Sequence, residues 1–153
     1  TDEAGFCLVA SAKRNDTRMI TVLLGSTSDE QRFQDAQQLL AYAFRFFKTE
    51  TLAAAQTKLF KTRILQGDPT NIAVGVDKPV SLTRNRYEKG EVSLSPNFNS
   101  PLKAPIHKGD VVGTLNLTLP NQTTSSVPLI ALEASERGGL WRVGVDWFKQ
   151  YLG

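Results

Sequence analysis

The sequence predicts an α+β chain in which a β-hairpin covered by one helix is followed by a small all-β sandwich and a C-terminal amphipathic helix. Three observations predict it. Two apolar runs precede a strongly helical stretch, short strand patterns recur from residue 58 onward, and an aromatic-rich amphipathic stretch ends the sequence. The expected domains are 1–48 for the hairpin and helix, 49–137 for the all-β part and 138–153 for the terminal helix.

The stretch from Ser28 to Phe47 is the most periodic segment. Its apolar residues recur at helical spacing and form one stripe; they are Phe33, Ala36, Leu40, Ala43, Phe44 and Phe47. Ser28 is placed to cap the helix, Gln31 to complete a capping box, and Asp29 and Glu30 to suit the helix dipole. A stripe of this size needs a large apolar partner, for which residues 6–24 are the candidate.

The segment Phe6–Ala10 is a continuous apolar run, typical of a strand buried on both faces. A polar turn joins it to a second run, Met19–Leu24, so the two predict a hairpin. Two strands and one helix do not make a stable core by themselves. We therefore expect further strands to come from another polypeptide or from an upstream part of a longer protein.

Composition excludes several classes of protein. With 41% hydrophobic and 22% charged residues, the 153-residue chain is globular rather than disordered. Its net charge of +3 is scattered, without the basic run that indicates nucleic-acid binding. The lone Cys7 is expected to be a buried apolar residue, and the lone His107 an exposed turn residue. No histidine-based metal site, catalytic triad or cofactor is predicted.

Residues 48–56 are interpreted as a polar, alanine-rich connection, after which short strands recur between turn signals. Val111–Leu119 shows the best alternation. The predicted strands are Leu59–Leu65, Ile72–Val76, Val80–Thr83, Glu91–Leu94, Val111–Leu119 and Val127–Leu132. They predict a β-sandwich of roughly 80 residues.

Short stretches along the whole chain resemble the bacterial D-alanyl-D-alanine carboxypeptidases, the low-molecular-mass penicillin-binding proteins. The first set resembles the end of their catalytic domain and comprises residues 1–12, 18–20, 24–25, 32–33 and 39–47. The second set resembles their all-β domain and comprises residues 104–106, 108–109, 111–114 and 128–130. Gly138-Gly139 and Trp147-Phe148 are similar to the family's terminal membrane-anchoring helix.

The resemblance implies an activity. In this family a serine is acylated by the D-Ala-D-Ala end of peptidoglycan peptides, within Ser-x-x-Lys, Ser-x-Asn and Lys-Thr-Gly motifs. It also implies that these motifs lie upstream of Thr1, so that this chain holds no catalytic residue and is inactive alone. The implied partners are peptidoglycan peptides, β-lactams and the upstream part of the catalytic domain. The implied location is the periplasm, at the outer face of the inner membrane.

Two stretches imitate the catalytic motifs: Ser100–Lys103 matches Ser-x-x-Lys and Ser95–Asn97 matches Ser-x-Asn. Such short patterns arise by chance in a chain of this length. The nucleophile should also open a helix, which Pro101 and Pro105 forbid. We interpret residues 95–105 as a loop and discount both matches.

Arg32 is the residue for which a binding role is expected. A cation in the first turn opposes the helix dipole, so its position needs a reason. The resemblance implies that it helps to hold the carboxylate at the end of the substrate, with Thr1 and Asp2 lining the same cleft. The alternative is an arginine solvated at the surface.

The last residues carry both tryptophans of the chain on one helical face. The expected anchor residues are Leu140, Trp141, Trp147, Phe148, Tyr151 and Leu152. Such a face suits the interface of a lipid bilayer, and it equally suits docking on the β domain; the resemblance favours the membrane. The alternative function is a non-catalytic β-sandwich module that serves as a spacer or tether at the membrane.

Overall fold

The computed structural model describes residues 5–139. Thr1, Asp2 and all six expected anchor residues lie outside this range. The described residues form two compact units, one of residues 5–50 and 81–88 and the other of residues 51–80 and 89–139. The elements are β1 (Phe6–Arg14), β2 (Thr17–Ser26), α1 (Asp29–Phe46), β3 (Phe47–Ala53), β4 (Phe60–Arg63), β5 (Gly67–Asp68), β6 (Asn71–Gly75), β7 (Val80–Asn85), β8 (Ser93–Phe98), β9 (Val111–Thr118), β10 (Thr124–Ala131) and β11 (Glu136–Arg137).

The first unit contains the predicted hairpin and helix. Strands β1 and β2 pair antiparallel, and α1 packs on both of them. The helix begins as expected, because the Ser28 Oγ accepts a hydrogen bond from the main-chain N–H of Gln31 at 3.1 Å. The predicted capping box is wrong, since the Gln31 side chain donates to Asp35 at 2.8 Å instead of returning to Ser28. Ala36 and Phe44 are the buried residues of the stripe.

Within the described residues strand β1 is covered on one face only, so burial of Phe6–Ala10 on both faces stays a prediction that concerns a longer protein. One face of the hairpin packs against α1, whereas the other carries exposed apolar side chains. These include Val9, Ile20, Val22 and Leu24, with exposed fractions of 68%, 66%, 59% and 78%. Cys7 is exposed too, so the expectation of a buried cysteine is wrong.

The second unit is built on a five-stranded antiparallel sheet in the order β4-β6-β10-β9-β8. Five of the six predicted strands form it. The remaining predicted strand, Val80–Thr83, begins β7, which pairs with β3; these two strands lie mostly in the first unit. Strand β3 was missed, because residues 48–56 were interpreted as a connection. A two-residue ladder also pairs β5 with β11. The all-β character of the predicted sandwich is therefore confirmed, whereas the described residues do not form two full sheets.

One face of the five-stranded sheet holds the core. Ile72, Val74, Leu115 and Leu129 are fully buried there, together with Ile64 from the segment after β4. Burying side chains of this size is the main source of stability for such a unit.

A β-bulge changes the expected pattern of β9. Leu129 pairs with Gly113 but Ile130 pairs with Val111, so β9 carries one extra residue there. As a result Val112 turns into the core, at 1% exposed, and Val111 faces outward at 58%. The sequence alternation had placed Val111 on the same face as Leu115.

Residues 95–98 belong to strand β8, so the predicted loop over residues 95–105 begins too early. Strand β8 lies at the edge of the sheet, which is where a strand tolerates Pro96.

Candidate functional site

Arg32 lies in the first turn of α1 and reaches back to β1. Its Nη1 donates a hydrogen bond to the main-chain oxygen of Cys7 at 2.8 Å, and its Nη2 pairs with the Asp29 carboxylate. Its side chain is 27% exposed, and its guanidinium carbon lies 5.8 Å from the centre of the Phe6 ring and 5.3 Å from that of Phe33. The ion pair with Asp29 offsets the unfavourable placement of a cation near the helix N-terminus.

The guanidinium therefore joins the helix to the hairpin. Its Nε is buried without a hydrogen-bond partner in the part of the chain that the structure describes. Arg32 is not the solvated surface side chain of the alternative interpretation, since aromatic rings and a main-chain carbonyl surround it. Each terminal nitrogen carries two N–H groups, so one on each remains for a further acceptor beyond Cys7 and Asp29. That this acceptor is a substrate carboxylate stays a prediction, as does the role of Thr1 and Asp2.

A second polar cluster, not predicted from the sequence, lies on β3 and β7. Glu50 pairs with the Lys48 Nζ at 2.9 Å and with the Arg84 Nε at 2.7 Å. The hydrogen bond from Lys48 and the charge of Arg84 hold the pKa of the Glu50 carboxyl below its usual value, although desolvation opposes this. Beside them, the Thr49 and Thr83 hydroxyls lie 2.7 Å apart. The cluster links the paired strands β3 and β7. Neither periodicity nor a short motif could have revealed it, because its residues come from two segments that are far apart in sequence.

His107 is an exposed turn residue, as predicted. Its side chain is 68% exposed, and its main-chain N–H donates to the Asp110 carboxylate at 2.8 Å. Across residues 5–139, His, Cys, Asp and Glu side chains nowhere gather in a group of three that could hold a metal ion.

The stretches that imitate catalytic motifs have the wrong surroundings. Residues 100–103 form no helix, so Ser100 and Lys103 are not presented on one helical face. Ser95 and Asn97 lie on the edge strand β8 with exposed side chains. Among the described residues no helix is both long enough and apolar enough to cross a membrane.

Comparison with known proteins gives the family. A family model described as "Penicillin-binding protein 5, C-terminal domain" matches residues 47–137. The chain belongs to this family. The five-stranded sheet and its core lie inside the range that the family model matches.

Relatives extend the likeness to the whole chain. It is 35% identical to D-alanyl-D-alanine carboxypeptidase DacC of Escherichia coli K12, over 100% of this chain and 40% of the relative. It is 33% identical to DacA of the same organism, over 97% of this chain and 37% of the relative. Penicillin-binding protein 5 from Haemophilus influenzae has a similar structure, with a TM-score of 0.76 and 26% identity over 89% of this chain and 40% of the other.

The resemblance to the D-alanyl-D-alanine carboxypeptidases is thus confirmed. The chain spans about two fifths of the length of these relatives.

Proposed function

We propose that this chain is the C-terminal part of a serine D-alanyl-D-alanine carboxypeptidase, which removes the terminal D-alanine from peptidoglycan pentapeptides through an acyl-enzyme. In this proposal the nucleophile motifs belong to a preceding part of the protein. The observation that carries it is the 35% identity to a carboxypeptidase over the full length of the chain.

The exposed face of the hairpin supports this proposal. Val9, Val22 and Leu24 form an apolar surface that is exposed to water. Burying this surface under further protein would be favourable. The same hairpin is a two-stranded sheet among the described residues, with backbone groups at its edges available to further strands. A catalytic domain that completed this sheet would cover both features.

Labelling by a fluorescent penicillin tests the proposal. The 153-residue chain should not be labelled, whereas a chimera that joins the preceding part of DacC to this chain should be labelled and should release D-alanine from a pentapeptide. The matched control is the same chimera with the serine of its Ser-x-x-Lys motif replaced by alanine. Labelling of the isolated chain, or a folded chimera without activity, would contradict the proposal.

We also propose that residues 138–153 attach the protein to the outer face of the inner membrane, in the periplasm. Both tryptophans lie there, in a segment with a thin polar face. Flotation with liposomes of phosphatidylethanolamine and phosphatidylglycerol, with and without these residues, tests this directly. Loss of flotation on truncation supports attachment, and equal behaviour of the two chains contradicts it.

The second candidate function is a spacer or tether without chemistry of its own. It is favoured by the family match, which names a C-terminal domain rather than a catalytic one. The chimera separates the two functions. D-alanine release that survives removal of residues 138–153 identifies an enzyme, because a module that serves only as a tether loses its function with that segment.

A further inference from the structure

One surface of the second unit is unusual in its chemistry. The strands β8, β9 and β10 contain no charged residue on either face, in a chain that is 22% charged. The face turned away from the core carries hydroxyl and amide side chains, which we call the polar rows; they are Ser93, Ser95, Asn97, Thr114, Asn116, Thr118, Thr124 and Ser126.

The polar rows are in register across the three strands. Ser95 pairs with Asn116, which pairs with Ser126, and the next row is Ser93, Thr118 and Thr124. None of these side chains forms a side-chain hydrogen bond with another group in residues 5–139, so their donors and acceptors remain available to a ligand. Above them lies a shallow depression of about 330 Å³.

The same face continues into an apolar depression of about 590 Å³, whose floor is formed by Val111, Pro128 and Ile130. Val111 reaches this face only because of the β-bulge in β9. Bulges often redirect a side chain beside a functional site. The rim is formed by Gln56 and Asp77, hydrogen-bonded to each other at 3.0 Å, and by Lys108.

From this arrangement we infer that the face of β8, β9 and β10 is a binding site for a saccharide strand with N-acetyl groups. Sugar hydroxyls and acetamide groups are uncharged donors and acceptors, which match the polar rows. The C–H faces of the sugar rings and the acetyl methyl groups match the apolar floor. Eight residues of β9 extend over roughly 27 Å, which is long enough for several sugar rings.

Other ligands fit this face less well. A protein partner would favour aromatic residues, methionine and arginine at the centre of its interface, and the outward-facing residues of these three strands include none. Nucleic acid or another polyanion would need several cations, whereas Lys108 is the single cation among the described residues that line the two depressions. The sheet also lies wholly within the range matched by the family model, so its exposed face belongs to the domain itself.

In a peptidoglycan enzyme the natural occupant is the N-acetylated glycan strand, an identification that rests on the proposed function. The site would hold the protein on the polymer whose peptides it trims. Single contacts of this kind give millimolar affinity, and a repeating polymer raises it by avidity.

The test is a titration of the isotope-labelled full chain with N-acetylglucosamine tetramer, followed by amide chemical shifts. Shifts should be confined to β8, β9, β10, residues 108–111 and the rim residues Gln56 and Asp77. The double variant Asn116→Ala with Ser126→Ala should bind about tenfold more weakly, since two hydrogen-bonding side chains are lost. The control removes one amide and one hydroxyl side chain from the neighbouring strands β6 and β4, Asn71→Ala with Thr62→Ala, and should bind like the original chain.

Cellotetraose, which has hydroxyls but no acetamide groups, is expected to bind at least threefold more weakly. The inference is overturned by the absence of shifts at tens of millimolar tetramer, by shifts elsewhere, by unchanged affinity of the Asn116 and Ser126 variant, or by equal affinity for cellotetraose. The oligosaccharide carries no D-alanine, so this result does not depend on whether the chimera hydrolyses a pentapeptide.

Discussion

The guanidinium of Arg32 and the main-chain oxygen of Cys7 lie 2.8 Å apart, which connects the first turn of α1 to the start of β1. The two residues are 25 positions apart in sequence, so this hydrogen bond closes the hairpin and helix into one unit. The carbonyl of Cys7 gains a charged donor, and hydrogen bonds to charged groups are stronger than neutral ones.

Replacing Arg32 by alanine should therefore destabilise the chain. The loss of the hydrogen bond and of the Asp29 pair should lower the free energy of unfolding by about 1–2 kcal/mol, measured by urea denaturation. Arg32→Lys retains the charge but lacks the two terminal nitrogens of the planar guanidinium, so an intermediate loss in the free energy of unfolding is expected. Lys61→Ala, which removes an exposed cation, serves as the control. If Lys61→Ala lowered the free energy of unfolding as much as Arg32→Ala does, the loss of a positive charge alone would explain the effect.

The predicted contact between Arg32 and a substrate carboxylate needs a different readout. In the DacC chimera, Arg32→Lys should lower kcat/KM for a pentapeptide by roughly 10-fold through KM, because a point charge replaces a bidentate donor. The same change should leave the activity on an ester of the terminal carboxylate unaffected. Equal loss on the acid and the ester would mean that Arg32 only supports the fold.

Ser28 determines where α1 begins. Its Oγ accepts from the N–H of Gln31, and Ser28→Ala leaves that donor without a side-chain acceptor. The expected cost is about 1 kcal/mol, visible as a lower urea midpoint with an unchanged slope. Ser28→Asp restores an acceptor and adds a favourable charge at the N-terminus, so it should match the original chain; a cost equal to that of alanine would argue against capping.

The sequence predicted α1 and most strands because their apolar spacing is local. It missed β3, in which residues 48–51 are all polar and show no apolar alternation, because pairing with β7 decides its conformation. The burial of Cys7 was mispredicted since an apolar run does not show whether both faces are covered. Val111 was assigned to the wrong face because the β-bulge in β9 arises from its pairing with β10, which the local alternation does not show. Arg32 was found from its unfavourable helix position, while the Glu50 cluster depends on contacts between strands.

Glu50 should make stability depend on pH. Its pKa is lower in the folded state than its usual value of 4.5, so its contribution is fully present above that pH and is lost as the pH falls through the folded pKa. The difference in Tm between the original chain and Glu50→Gln should thus be largest near pH 7 and should shrink below pH 4.5. Glu91, which forms no ion pair within residues 5–139, provides the matched control Glu91→Gln. A constant difference across this range would contradict the role of the Lys48 and Arg84 contacts.

Gly113 allows β8 and β9 to pair closely. A Cβ at this position would lie 2.3 Å from the main-chain oxygen of Asn97 and 2.9 Å from the Cα of Phe98. Both are backbone atoms of the paired strand, so no side-chain rotation relieves the overlap and the strands must separate. Gly113→Ala should lower the free energy of unfolding by about 2–3 kcal/mol, measured by urea denaturation. Gly139→Ala is the matched control, since its Cβ would have no neighbour within 4 Å and should change stability by less than about 0.5 kcal/mol. A similar small effect at Gly113 would mean that the edge strand β8 moves away freely, and the polar rows it shares with β9 would then not be held in register.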